Sequence, residues 1–157
     1  MIRLAFRLGL GWTSRLIARF SAGHLSHVDV KLPNGKLLGA RSDNVGGGEG
    51  VRERPDPYEP VAKMVYFEIE ATPEQLAKFY GFLYDQLGKP YDHLAILAFI
   101  WNRNWRDDDA WYCSELVAAA LEEAGMLKQT LYLPYNKITP VALATLVSDL
   151  PGAHQVN

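Results

Sequence analysis

A single thiol and one strand-borne imidazole are the residues of this chain whose types and settings admit covalent chemistry. Cys113, the one cysteine among 157 residues, follows the polar and aromatic approach Asp107-Asp108-Asp109-Ala110-Trp111-Tyr112 and opens the run Ser114-Glu115-Leu116-Val117. Apolar positions then recur at helical spacing, which predicts a thiol in the first turn of a helix. Unpaired amides and the positive end of the helix dipole there favour the thiolate, the reactive form of cysteine. The competing reading is a small core residue, because free cysteines are commonly buried and Cys113, Val117 and Leu121 share one helical stripe. The imidazole is His27, in Ser26-His27-Val28-Asp29-Val30-Lys31-Leu32, which alternates as a half-buried strand does. Val28, Val30 and Leu32 take one face; His27, Asp29 and Lys31 take the other, toward solvent or a cleft. An imidazole in a cleft can hold a cysteine as thiolate and later return a proton to a leaving group.

The order of these segments carries a resemblance. A Ser-His-Val strand with a Pro-Asn-Gly turn is followed by Gly88-Lys89-Pro90-Tyr91-Asp92 and then by Trp111-Tyr112-Cys113-Ser114-Glu115-Leu116-Val117. This resembles the circularly permuted branch of the NlpC-type papain-like superfamily, which includes YiiX-like cysteine hydrolases and lecithin:retinol acyltransferase-like enzymes. In that branch the histidine strand precedes the cysteine helix. The likeness runs from about residue 2 to residue 147, and the Tyr-Cys-Ser-Glu-Leu-Val block is its most specific part. It implies Cys113 as nucleophile and His27 as base, and it puts Tyr112 in the site with an oxyanion or cleft role.

The chain departs from that pattern at the third catalytic position. Relatives place a polar residue on the strand after the hairpin, about a dozen residues beyond the histidine, and here that position falls on Gly39. A two-residue turn at Asn34-Gly35 would set Ser42 opposite His27, whereas a three-residue loop would set Arg41 opposite His27 and Gly39 opposite Asp29. We expect the Asp29 carboxylate to occupy the space left by Gly39 and to orient the imidazole, since two residues along a strand span only about 6.5 Å. Its alternative is a solvated surface acid.

These residues need elements to position them. A short strand is expected near residues 2–7, a helix near 12–21 with Arg15 and Arg19 on one side, and then the His27 hairpin. Residues 44–50, Asn-Val-Gly-Gly-Gly-Glu-Gly, lack the Gly-Lys-Ser/Thr ending of a phosphate cradle and read as a mobile loop or lid. Residues 64–69 alternate as a strand. Thr72-Pro73-Glu74-Gln75 supplies an N-cap, a first-turn proline and a capping-box glutamine for a helix that carries Leu76, Phe79, Tyr80, Leu83 and Leu87 and stops at Gly88. Another helix is expected from Tyr91-Asp92 through residues 94–101, a polar loop over 102–109, a loop over 134–136, and a last helix from Thr139-Pro140. Tyr91 and Trp111 are candidate substrate-binding residues, with structural capping the competing role at Tyr91. The expected fold is α+β and papain-like, of permuted NlpC type: one hydrolase domain, 1–157, with the cysteine helix packed against an antiparallel sheet.

Composition narrows the classes. With 48% hydrophobic and 22% charged residues the chain has the make-up of an ordinary globular protein. A formal charge of -2 without a basic patch argues against nucleic acid. The longest apolar run, residues 94–101, falls well short of the roughly 20 residues that span a bilayer, so no membrane span is expected. The first eight residues are interrupted by arginines and lack a cleavage site, so no export signal is recognised and a cytoplasmic setting is expected. No cofactor is implied. The expected substrate is a peptide, an amide or an acyl ester. Two other classes stand beside the hydrolase: an inactive binding module that keeps the fold, and a metal protein built on His24, His27 and Asp29. The second lacks Cys-x-x-Cys or His-Glu-x-x-His spacing.

Overall fold

The computed structural model describes residues 1–10, 25–93, 109–127 and 138–156. In chain order the elements are β1 (Ile2–Gly9), β2 (His27–Lys31), β3 (Leu37–Arg41), β4 (Gly50–Arg54), β5 (Val61–Ile69), α1 (Pro73–Asp85), α2 (Cys113–Glu123), α3 (Pro140–Ser148) and β6 (Ala153–Val156). The strands form one antiparallel sheet in the order β4-β3-β2-β1-β5-β6. The architecture is therefore α+β. The helices expected near 12–21 and over 94–101, the loop at 134–136, His24, and the acids Asp107 and Asp108 lie outside the described residues.

Alternation divides the sheet into two faces. Ile2, Leu4, Phe6, Val28, Val30, Leu38, Ala40, Val51, Phe67 and Ile69 point to one side and are buried with Phe79 and Leu83 of α1, Leu116, Val117 and Leu121 of α2, and Leu143 and Val147 of α3. Each of these side chains except that of Ala40 contributes roughly 1.5–3 kcal/mol by leaving water. Alanines at 118 and 120 keep α2 thin, so it lies close to β2, β3 and α1.

Local chemistry explains the ends of the helices. At the start of α1 the Thr72 hydroxyl accepts from the Gln75 N–H at 3.2 Å, while the Thr72 N–H donates to the Gln75 side chain at 2.9 Å, with Pro73 in the first turn. This is the capping box expected from the sequence. Thr139 caps α3 in the same way through the Ala142 N–H at 3.1 Å.

The hairpin between β2 and β3 selects between the two registers. The Leu32 N–H donates to the Lys36 carbonyl and the Gly35 N–H to the Leu32 carbonyl, enclosing Pro33, Asn34 and Gly35 in a three-residue loop. Gly35 takes φ +82°, the left-handed conformation such loops require. Val30 pairs with Leu38 and Lys31 with Leu37, so the register continues to Gly39 opposite Asp29 and Arg41 opposite His27. The two-residue turn is not adopted, and Ser42 falls beyond the end of β3 rather than opposite His27.

Two strands were not anticipated. β4 reads Gly-Val-Arg-Glu-Arg and shows little apolar signal; β6 is four residues long. The strand expected at 64–69 also begins earlier, at Val61, and pairs along the whole of β1.

Candidate active site

β2 opens at the end of the sheet to which the N-terminus of α2 is brought. Ser26 fixes the approach: its N–H donates to the Arg7 carbonyl at 2.9 Å and its hydroxyl to the same oxygen at 3.3 Å. His27 follows as the first strand residue and pairs with Arg7. On α2, Tyr112 is the N-cap in extended conformation and Cys113 is the first helical residue. The Glu115 side chain reaches back to the Tyr112 N–H at 3.4 Å.

The geometry brings His27, Asp29, Cys113 and Tyr112 together. His27 Nε2 lies 3.0 Å from Asp29 Oδ1. Burial by itself pulls the His27 pKa down, but the charge of Asp29, the charge of Cys113 and hydrogen bonding to both outweigh it, and the pKa is raised. Asp29 is fully buried. Burial pushes its pKa up, yet His27, the Arg7 guanidinium and the Tyr58 hydroxyl together hold the carboxyl well below the usual carboxylate range. A charged Asp29 is thus the stable form, and it is not a solvated surface acid.

Gly39 makes that position possible. A Cβ placed there would lie 2.1 Å from Asp29 Oδ1 and 3.1 Å from its carboxyl carbon, far inside contact distance. The carboxylate fills the volume that any other residue type at position 39 would need.

Residues without a counterpart in the sequence reading complete the second face of the sheet. Arg7, fully buried, pairs through Nη2 with Asp29 Oδ2 at 2.8 Å. Tyr58, from the segment 55–60 that runs over this face, donates its hydroxyl to Asp29 Oδ2 at 2.7 Å. Its ring stacks under the Arg7 guanidinium at 4.3 Å. Arg41 bridges Asp43 and Glu59 and donates to the Tyr58 oxygen at 2.9 Å. Arg54 donates to the carbonyls of Gly39, Val45, Gly48, Gly50 and Arg52, so the glycine-rich loop is tied down rather than loose. Isolated arginines at odd strand positions read as surface charges; what would have marked these is that Arg7, Asp29 and Arg41 share one face once the register is known.

The Gly88-Lys89-Pro90-Tyr91-Asp92 motif is a structural tie between β4 and the cysteine. The Val51 N–H donates to the Lys89 carbonyl and the Gly88 N–H to the Val51 carbonyl, both at 2.9 Å; farther on, the Trp111 N–H donates to the Pro90 carbonyl and the Asp92 N–H to the Trp111 carbonyl. Gly50 sits at φ +89°, and a Cβ there would come within 2.4 Å of the Lys89 carbonyl oxygen. Tyr91 is buried with its ring 5.9 Å from that of Tyr112. Trp111 turns toward α1, donating to the Gln86 side chain at 3.1 Å and stacking edge-on against Phe82. For Tyr112, burial, the Cys113 charge, the Tyr91 charge and a hydrogen bond with Cys113 all push the phenol pKa well above its ordinary value; Tyr91 is likewise raised, first by burial and then by Cys113. Both phenols therefore keep their protons and can donate.

No protein-family model and no curated protein matches the chain. Among solved structures, the metalloprotein YiiX from Escherichia coli O157:H7 aligns with a TM-score of 0.60 at 23% identity, over 99% of this chain and 94% of YiiX. The fold is YiiX-like. YiiX is a metalloprotein. No three of His, Cys, Asp or Glu are gathered to hold an ion among them. Both oxygens of Asp29 are engaged, one of them by an arginine and a phenol, which is a poor donor set for a cation. The described residues do not fit a metal. No helix among them is long and apolar enough to cross a membrane.

Proposed function

We propose that this protein is a papain-like cysteine hydrolase of the permuted NlpC type, with Cys113 as nucleophile, His27 as acid and base, and Asp29 as the residue that orients His27. The observation that carries this reading is the imidazole held between a buried carboxylate at 3.0 Å and the thiol at the start of a helix. Because Nε2 is taken by Asp29, Nδ1 is the nitrogen left for the thiol. His27 draws the proton from Cys113, and the resulting thiolate and imidazolium stabilise one another.

The thiolate sulfur adds to an amide or ester carbonyl carbon. Backbone amides at the start of α2, that of Cys113 first, and the Tyr112 hydroxyl face the oxyanion that forms. The bond from carbon to the leaving nitrogen or oxygen breaks as His27 returns its proton, leaving an acyl thioester. His27 then deprotonates a water, which releases the acid and regenerates the thiol, or passes the acyl group to a second acceptor if the protein is a transferase. Peptides of the cell wall and lipid-like acyl esters are the two substrate classes this chemistry suits.

Cys113 is the only thiol, so alkylation by iodoacetamide reads this site alone. At pH 6 the wild type should be alkylated readily, and His27→Ala should slow it by on the order of 100-fold, because the imidazole that draws off the thiol proton is gone. A sluggish thiol in both proteins would overturn the assignment. That result would support the second reading, an inactive binding module, which the 1% exposure of Cys113 favours. A panel of muropeptides and acyl esters then separates the substrate classes, and metal analysis of the purified protein tests the lack of fit to a cation.

A further inference from the structure

Beyond Asp29 the chain of hydrogen bonds continues one residue further, to Tyr58. We propose that Tyr58 is a positioning residue for His27 that acts through Asp29, an assignment that rests on the thiolate and imidazole reading above. Arg41 Nη1 lies 2.9 Å from the Tyr58 oxygen, and a guanidinium can only donate. The phenol oxygen is therefore an acceptor on that side, and its single proton is directed to Asp29 Oδ2 at 2.7 Å.

Asp29 is thereby gripped on Oδ2 by Tyr58 and Arg7, which fixes the carboxylate plane and leaves Oδ1 to His27. Tyr58 cannot drift from this post. Its ring lies against the guanidinium groups of Arg7 at 4.3 Å and Arg41 at 4.9 Å, and the glycine loop closes over it so tightly that a Cβ at Gly46 would come within 2.8 Å of the Tyr58 Cβ. Burial and the neighbouring Asp29 charge raise the phenol pKa, so the proton is retained across the working range. The charged groups facing the His27 and Asp29 pair are Arg7 from β1, Arg41 and Asp43 from the end of β3, Arg54 from β4, Glu59 beside Tyr58, and Cys113 from α2.

The test is Tyr58→Phe, which removes one oxygen and keeps the ring under the arginines. With a less firmly held Asp29, the raised His27 midpoint should fall by about half to one pH unit, followed by NMR of labelled histidine, and iodoacetamide alkylation at pH 6 should slow several-fold. A merely structural tyrosine would leave that midpoint in place. In an Asp29→Asn background the same Tyr58→Phe change should move nothing more, because its route to His27 is gone. An unmoved midpoint in the single variant, or an equal shift in the Asp29→Asn background, overturns the proposal. Should Tyr58→Phe not fold, the wild type decides: a Tyr58 hydroxyl proton held on Asp29 gives a slowly exchanging resonance in contact with the Asp29 side chain, and its absence overturns the assignment. Loss of the His27 dependence of alkylation would sink the hydrolase reading instead, so the two failures are distinguishable.

Discussion

Both faces of the sheet carry buried side chains, and these are buried by opposite means. On the helix side, Leu4, Phe6, Val30, Phe79, Leu83, Leu116 and Val117 meet by shape and area. On the other side, Arg7, Asp29, Arg41 and Tyr58 are joined atom to atom by ion pairs and hydrogen bonds, and Arg54 holds the backbone carbonyls beside them. Apolar packing is non-directional, so one methylene removed from it leaves every other contact standing. A buried polar network is directional, and removing one member strands a charge or a donor away from water. One face supplies most of the cohesion, then, while the other supplies a single orientation of His27 at the cost of tolerance.

The sharpest way to break that contrast is Arg7→Met. It strips the cation from a buried carboxylate and should cost about 3–5 kcal/mol at neutral pH by denaturant unfolding. The sign with pH follows from Asp29. Its folded pKa is depressed, so the stabilisation it brings is complete above the unfolded value of about 3.9 and drains away as pH falls toward the folded value. The deficit of Arg7→Met should accordingly shrink below about pH 4. A deficit constant with pH would show that Arg7 contributes packing rather than charge.

Gly39→Ala comes next. Adding one methyl group should destabilise by roughly 2–3 kcal/mol, because the Asp29 carboxylate must leave its place and the methyl meets it at less than contact distance. It should also lower the His27 midpoint. Retention of both stability and midpoint would remove the vacancy from the account. His27 itself gives a window of opposite sense. Its folded pKa is raised, so the stability it brings is full below about 6.5 and is lost as pH climbs through the folded midpoint. In Asp29→Asn that alkaline loss should be smaller, as thermal unfolding across pH would show.

On the apolar face, Ile69→Val should cost about 1 kcal/mol and leave both the His27 midpoint and Cys113 alkylation unchanged. A shift in either would mean that the two faces are coupled through the sheet. The smallest effect expected is at the far end of the chemistry: Thr72→Ala removes one cap of α1 for about 1 kcal/mol or less, with no change at Cys113.

How far the sequence disclosed this molecule follows the same division. Periodicity reports apolar faces, so β1, β2, β5 and the capped helix α1 could be read directly, and the turn from polar approach to apolar run located Cys113 at a helix start. Charged strands carry no such signal. β4 is tied into the sheet by pairing and by Arg54 rather than by an apolar stripe, so its sequence does not mark it as a strand. Asp29 could be guessed because it shares a strand with His27. Arg7 and Tyr58 could not, because they reach Asp29 from a neighbouring strand and from an irregular segment, and nothing local to either announces the meeting. The hairpin register was ambiguous for a narrower reason: Asn34-Gly35 suits a two-residue turn, and only the left-handed Gly35 after Pro33 and Asn34 shows that the loop holds three.

Because His27 and Asp29 are neighbours but one on the same strand, their spacing is covalently inherited and survives any slip of β3. The vacancy at Gly39 does not. Lengthening or shortening the turn at 33–35 by one residue would bring Leu38 or Ala40 across from Asp29 and present a side chain, or the wrong face, where the carboxylate now lies. Long insertions in surface loops generally cost little, whereas this three-residue turn acts as a ruler, because a change in its length moves the glycine away from the carboxylate it admits.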